Sequence, residues 1–203
     1  MMDGVTSAAH ARSDPSPLIR ARATQELLAG LDDFEGGLFE RVVARAGPDV
    51  VAAIEAAHPT TWIPVRQSAR VVLAAVEELG TERAPKLWRY FFARRFGRSP
   101  LMRGLVGGTV RILGVTPRSL FKHVGRIVDG TYRNLGRTEV SFPEERMARV
   151  LLLDVHPEML EISDYFLALA GALEGFCEIV GEDGSTEVTV DASGGRVRFE
   201  TRW

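Results

Sequence analysis

Apolar residues in this chain recur every three or four positions up to about residue 130 and every second position afterwards, with one long helical stretch inside the second part. A helical period buries one stripe of a helix and a period of two buries one face of a strand, so the change separates a helical half from a sheet half. "LFERVVARAG" places Leu38, Val42, Val43 and Ala46 on one face and stops at Gly47-Pro48. "PDVVAAIEAAH" reads as a short helix closed by His58-Pro59, and "PVRQSARVVLAAVEELG" carries Val65, Ala69, Val72, Leu73 and Val76 at helical spacing up to Gly80. "APKLWRYFFARRFG" has an aromatic inner face and ends at Gly97; Ser99-Pro100 and Thr116-Pro117 are start signals for two further helices.

Beyond residue 130, "TEVSF" alternates, with Val140 and Phe142 on one side, and "ARVLLLDV" is a nearly continuous apolar run suited to a central strand. "EMLEISDYFLALAGALEGFCEIVG" reads as a helix with Ile162, Phe166, Leu169, Leu173, Phe176 and Val180 as its buried stripe. "STEVTVDASGGRVRFETRW" reads as a hairpin turning at Ser193-Gly194-Gly195, with Val197, Phe199, Thr201 and Trp203 facing inward. The expected fold is α+β: an N-terminal helical half, residues 18–130, then a β-β-α-β-β antiparallel sheet unit, residues 131–203. Both halves form one domain, with 1–17 as a disordered tail rich in small and polar residues.

Net charge is only -2, from 25 basic and 27 acidic residues, but it is unevenly placed. Between Arg83 and Arg137 Asp129 is the only acid among many arginines, whereas acids dominate from Glu144 to Glu200. The two halves either complement each other, within one chain or between copies, or leave a positive face for an anionic partner. Cys177 is the only cysteine, which excludes an intramolecular disulfide and a Cys-x-x-Cys site and suits an intracellular, cytoplasmic setting. No stretch approaches the roughly 18 apolar residues that would span a bilayer.

"HPTTWIPV", "ARRFGRSPLMRGLVGG", "RNLGRTEVSF", "LALAGALEGFCEIVG" and "RVRFETRW" occur in an order that resembles an uncharacterised myxobacteria-type family of about the same length. More remotely, strand-strand-helix-strand-strand after a helical half resembles the superfamily of heme-nitric-oxide/oxygen-binding domains, 4-vinyl-reductase-type ligand domains and TRAPP vesicle-tethering subunits. That resemblance implies a pocket between helices and sheet, and often a dimer. Its heme branch implies a proximal histidine on a helix and a Tyr-x-Ser-x-Arg motif for the propionates. His123 is the one candidate ligand, and Tyr132 and Arg133 occur without the motif's spacing.

No nucleophile, base and orienting group are recognisable together, so the expectation is a non-enzymatic regulatory or sensory module with no catalytic residue and no metal. It would bind a small apolar or anionic ligand, or a partner protein, between helices and sheet. Trp88, Phe91, Phe92, Phe166 and Phe199 are the candidate lining, and Arg94, Arg95, Arg98 and Arg103 the candidate anion site. Arg98 and Arg103, at a helix start, call for a carboxylate or a bound anion. No cofactor is expected, with a heme-based gas sensor kept third. The alternative is a scaffold or adaptor whose Arg-rich helical face meets nucleic acid or a membrane surface; a basic-aromatic stretch without a recognition motif makes nucleic acid the lesser partner. Gly171 and Gly175 make a smooth helix face for close packing, either inside the chain or across a homodimer.

Overall fold

The computed structural model describes residues 15–95 and 116–203. The four-stranded antiparallel sheet is built from β4 (Arg137–Glu144), β5 (Met147–Leu153), β6 (Ser185–Asp191) and β7 (Arg196–Arg202), in the order β4-β5-β7-β6. Register follows from the alternation. Val140 faces Val150, Val150 faces Phe199 and Phe199 faces Val188, so one apolar row crosses all four strands on the inner face. On the opposite face Arg149 pairs with Glu200 across β5 and β7 at 2.7 Å. In the β6–β7 turn, Asp191 Oδ1 accepts hydrogen bonds from the Ser193 hydroxyl and the Gly194 N–H, and Gly195 takes φ 61°.

The helical half is built from α1 (Ala21–Leu28), α2 (Leu31–Phe34), α3 (Leu38–Ala46), α4 (Pro48–Ala56), α5 (Val65–Leu79) and α6 (Ala84–Arg95). Gly47, at φ 99°, ends α3, and Pro48 opens α4. After residues 96–115 come α7 (Pro117–Phe121), with Thr116 and Pro117 at its start as expected, and α8 (Val124–Thr131). The long helical stretch divides into α9 (Pro157–Leu160) and α10 (Tyr165–Ile179). The break at 161–164 is bridged by short-range bonds, Tyr165 N–H to Ile162 O and Phe166 N–H to Ser163 O.

Burial on α10 extends well beyond one stripe, because the sheet covers one side and α6 the other. Gly171 and Gly175 meet α6: a Cβ at Gly171 would lie 2.1 Å from the Pro85 carbonyl oxygen, and one at Gly175 would lie 2.8 Å from Phe92 Cβ. The smooth face is therefore used inside the chain.

The purely helical reading of residues 18–130 requires correction. Leu18–Arg20 (β1), Trp62–Pro64 (β2) and Tyr132–Arg133 (β3) form a second antiparallel sheet, ordered β2-β1-β3. Two- and three-residue strands are too short to display an alternating pattern, which is why periodicity misses them. Part of the expected tail is also held: Val65 N–H donates to Pro17 O, Asn134 Nδ2 to Ser16 O, and the Ser16 hydroxyl to Glu158.

Charge complementarity works within the chain at several places. Arg66 on α5 bonds Glu158 and Glu161, and Arg89 on α6 bonds Glu178 and Asp183, each joining the basic half to the acidic one. Among the described residues no helix is long and apolar enough to cross a membrane.

Candidate functional site

Helices and the inner sheet face do not meet solidly. A cavity of about 160 Å³ lies between them, walled by α1, α5, α6, α8 and α10 and floored by Val150, Leu152 and Phe199. Trp88, Phe91 and Phe92 come from α6; Leu169, Leu173 and Phe176 come from α10. Its size is close to the ~150 Å³ cavity known to hold benzene and below the roughly 300–1,000 Å³ of sites for larger ligands.

Apart from the Trp88 indole, the lining side chains with a polar group all carry hydroxyls: Thr24, Ser68, Thr131, Tyr132 and Tyr165. Thr24 Oγ1 lies 2.7 Å from Ser68 Oγ, and the Tyr132 and Tyr165 hydroxyls are 3.1 Å apart. The two pairs face the same cavity, and Ser68 is near enough to Tyr165 to act on its phenol. Each pair has two O–H groups and one link between them, so one O–H of each pair is left to find another acceptor. Burial pushes the Tyr132 phenol well above its ordinary range, and the neighbouring Tyr165 adds to the rise. Tyr165 is raised by burial too, with the bond to Tyr132 and the nearby Ser68 acting against it. Both phenols therefore stay protonated donors at neutral pH. No Asp, Glu, Lys, Arg or His belongs to the described lining, so a charged ligand would be buried without a counter-charge.

The residues singled out in the sequence separate on this geometry. Trp88, Phe91, Phe92 and Phe199 line the cavity. Phe166 does not: it is fully buried beside Phe199, ring centroids 6.3 Å apart. Arg94 is exposed and stacks over Tyr90 at 4.9 Å. Arg95 ends α6, while Arg98 and Arg103, for which a carboxylate or a bound anion was expected, lie outside the described residues. The hydroxyl pairs escaped the sequence reading, since Thr24, Ser68, Tyr132 and Tyr165 come from four separate elements and share no motif. A tyrosine opening a strongly apolar helix is the one signal that pointed there.

His123, the heme-ligand candidate, is half-buried before α8 and is not part of the lining, although Val124 and Ile127 are. His58 bonds Thr60 through Nδ1, and His156 caps α9 by accepting the Glu158 N–H. His10 lies outside the described residues. The described lining thus offers no histidine, cysteine or methionine as an axial ligand and no guanidinium for propionates, and does not fit heme as it stands.

No family model matches the chain, and neither does a curated protein. Solved structures do match. A mutant of the T. tengcongensis H-NOX aligns with TM-score 0.56 and 14% identity, over 91% of this chain and 97% of its own. An oxygen-binding H-NOX domain related to soluble guanylate cyclases aligns with TM-score 0.55 and 14% identity, over 91% and 93%. The Fe(II) unliganded H-NOX protein from K. algicida aligns with TM-score 0.53 and 11% identity, over 91% and 96%. Structures addressing heme distortion in the H-NOX family are among the matches, which overturns the expectation of no cofactor: heme counts among the ligands of this fold. The chain has the α+β fold of the heme-nitric-oxide/oxygen-binding domains, at an identity that speaks for the fold alone.

Proposed function

We propose that the chain is a non-enzymatic sensory module whose cavity takes a small neutral molecule with an apolar body and one hydrogen-bond acceptor. The observation that carries this is the two hydroxyl pairs, Thr24–Ser68 and Tyr132–Tyr165, each with an O–H beyond its own link, in an otherwise apolar wall. An apolar body gains from burial, about 25 cal/mol per Å² removed from water. The acceptor fixes its orientation and sets its specificity. The described lining has no carboxylate, imidazole or thiol to act as a base, which favours binding over chemistry.

The test compares acetophenone with ethylbenzene, which differ by a carbonyl acceptor, using calorimetry and thermal stability on the full chain. Both should bind, acetophenone more tightly, and Tyr165→Phe should erase most of the difference. Absence of binding by either would overturn the reading. The fold likeness favours a second reading, a heme-based sensor. Hemin added to the protein, with a Soret band that survives desalting, would support that one.

A further inference from the structure

Arg20, Trp62 and Arg133 share the outer face of the small sheet, and no part of the cavity includes them. The register explains the meeting: Arg20 lies opposite Trp62 on β1–β2, while Leu18 lies opposite both Pro64 and Arg133. Both guanidinium groups end on one indole, Arg20 at 3.9 Å and Arg133 at 4.3 Å from its ring centroid. Arg20 Nη1 also donates to the Thr60 carbonyl, and His58 Nδ1 lies 2.9 Å from Thr60 Oγ1, so an imidazole stands on the same loop.

The two positive groups are gathered without an acid. Arg22, two residues on, takes Glu26, and Arg66, two residues beyond Pro64, takes Glu158 and Glu161. Among the described residues neither Arg20 nor Arg133 forms an ion pair with a carboxylate. Stacking on an indole orients a guanidinium and leaves N–H groups at its edge for an oxyanion; Arg20 commits Nη1 to Thr60 and keeps its remaining N–H groups. A tetrahedral oxyanion, which accepts from several directions at once, suits two guanidinium groups gathered on one indole better than a single planar carboxylate does.

We infer that Arg20 and Arg133, held over Trp62, form a binding site for a phosphate group, either free, on a small monoester, or on a lipid headgroup. The site is independent of the cavity and stands whether or not the cavity reading does. Arginine binds phosphate through a pair of parallel N–H bonds that a lysine ammonium cannot reproduce, so lysine at either position keeps the charge and loses the fork.

The experiment follows the arginine Nε–Hε resonances of the full chain during titration with inorganic phosphate and with phenyl phosphate at constant ionic strength. Arg20 and Arg133 should shift saturably with either probe, while Arg22 stays still. Arg20→Lys and Arg133→Lys should each weaken phosphate at least about tenfold, and Arg22→Lys should change nothing. Flotation with phosphatidylcholine vesicles, with and without phosphatidic acid, runs in parallel. Saturable shifts without flotation assign the site to a soluble phosphate. Flotation that needs phosphatidic acid and fails in both lysine variants assigns it to a headgroup. Shifts that are linear in phosphate, or equal in Arg20→Lys, Arg133→Lys and unchanged protein, show ordinary counter-ion screening and overturn the site. The folded state of each variant is checked by its amide spectrum.

Discussion

Tyr132, on the third strand of the small sheet, and Tyr165, at the first turn of α10, share a hydrogen bond 3.1 Å long in the wall of the cavity. The contact joins the end of the helical half to the helix that covers the sheet. Tyr165 is buried and Tyr132 half-buried, and both phenols titrate above their ordinary value of 10.0. A folded phenol that keeps its proton while the unfolded one loses it makes the folded state bind more protons. Stability from this pair is thus complete below about pH 10 and declines as pH rises past it. Denaturant unfolding between pH 8 and 11 should show the fall, and Tyr132→Phe should reduce its slope while costing about 0.5–1.5 kcal/mol at pH 7.

Gly171→Ala should destabilise the protein by about 1–3 kcal/mol or more, because its Cβ would meet the Pro85 backbone, which cannot rotate away as a side chain can. Gly125→Ala, in α8 with nothing within 4 Å of an added Cβ, should instead add up to about 1 kcal/mol. Urea unfolding of the pair gives opposite signs if the α6–α10 crossing is as close as it stands here.

Cys177 is buried, and its thiol is pushed up to about 12, first by burial and then by Glu174. Thiolate is scarce at neutral pH, and access is blocked. Reaction with a disulfide reagent at pH 8 should be slow in the folded protein, and its rate should follow opening of the structure when urea is added.

Glu174, on α10, accepts the Thr186 N–H at 2.9 Å and so ties the helix to β6. Burial raises its carboxyl above the ordinary value, against the lowering effects of the Thr186 bond and Arg89. The folded state then binds more protons than the unfolded one just above pH 4.5, and stability is lost as pH rises through the folded titration. Glu174→Gln keeps an acceptor and removes the buried charge. Its melting temperature should exceed that of the unchanged protein at pH 7, with the gap closing toward pH 4.

The sequence alone was enough to place α3, α5 and the β6–β7 hairpin, because each is long enough for its period to repeat and is punctuated by Gly. It also named four of the aromatic residues that line the cavity, Trp88, Phe91, Phe92 and Phe199, since a large apolar side chain on an inner face must meet the core. It did not reveal β1, β2 and β3, whose pairing depends on partners more than forty residues apart. Nor did it reveal the hydroxyl pairs Thr24–Ser68 and Tyr132–Tyr165, or the meeting of Arg20 and Arg133 on Trp62. A period is a local property that the chain carries within a few residues. A polar contact is decided by which distant backbones the core brings together, and that is settled only when the apolar faces pack.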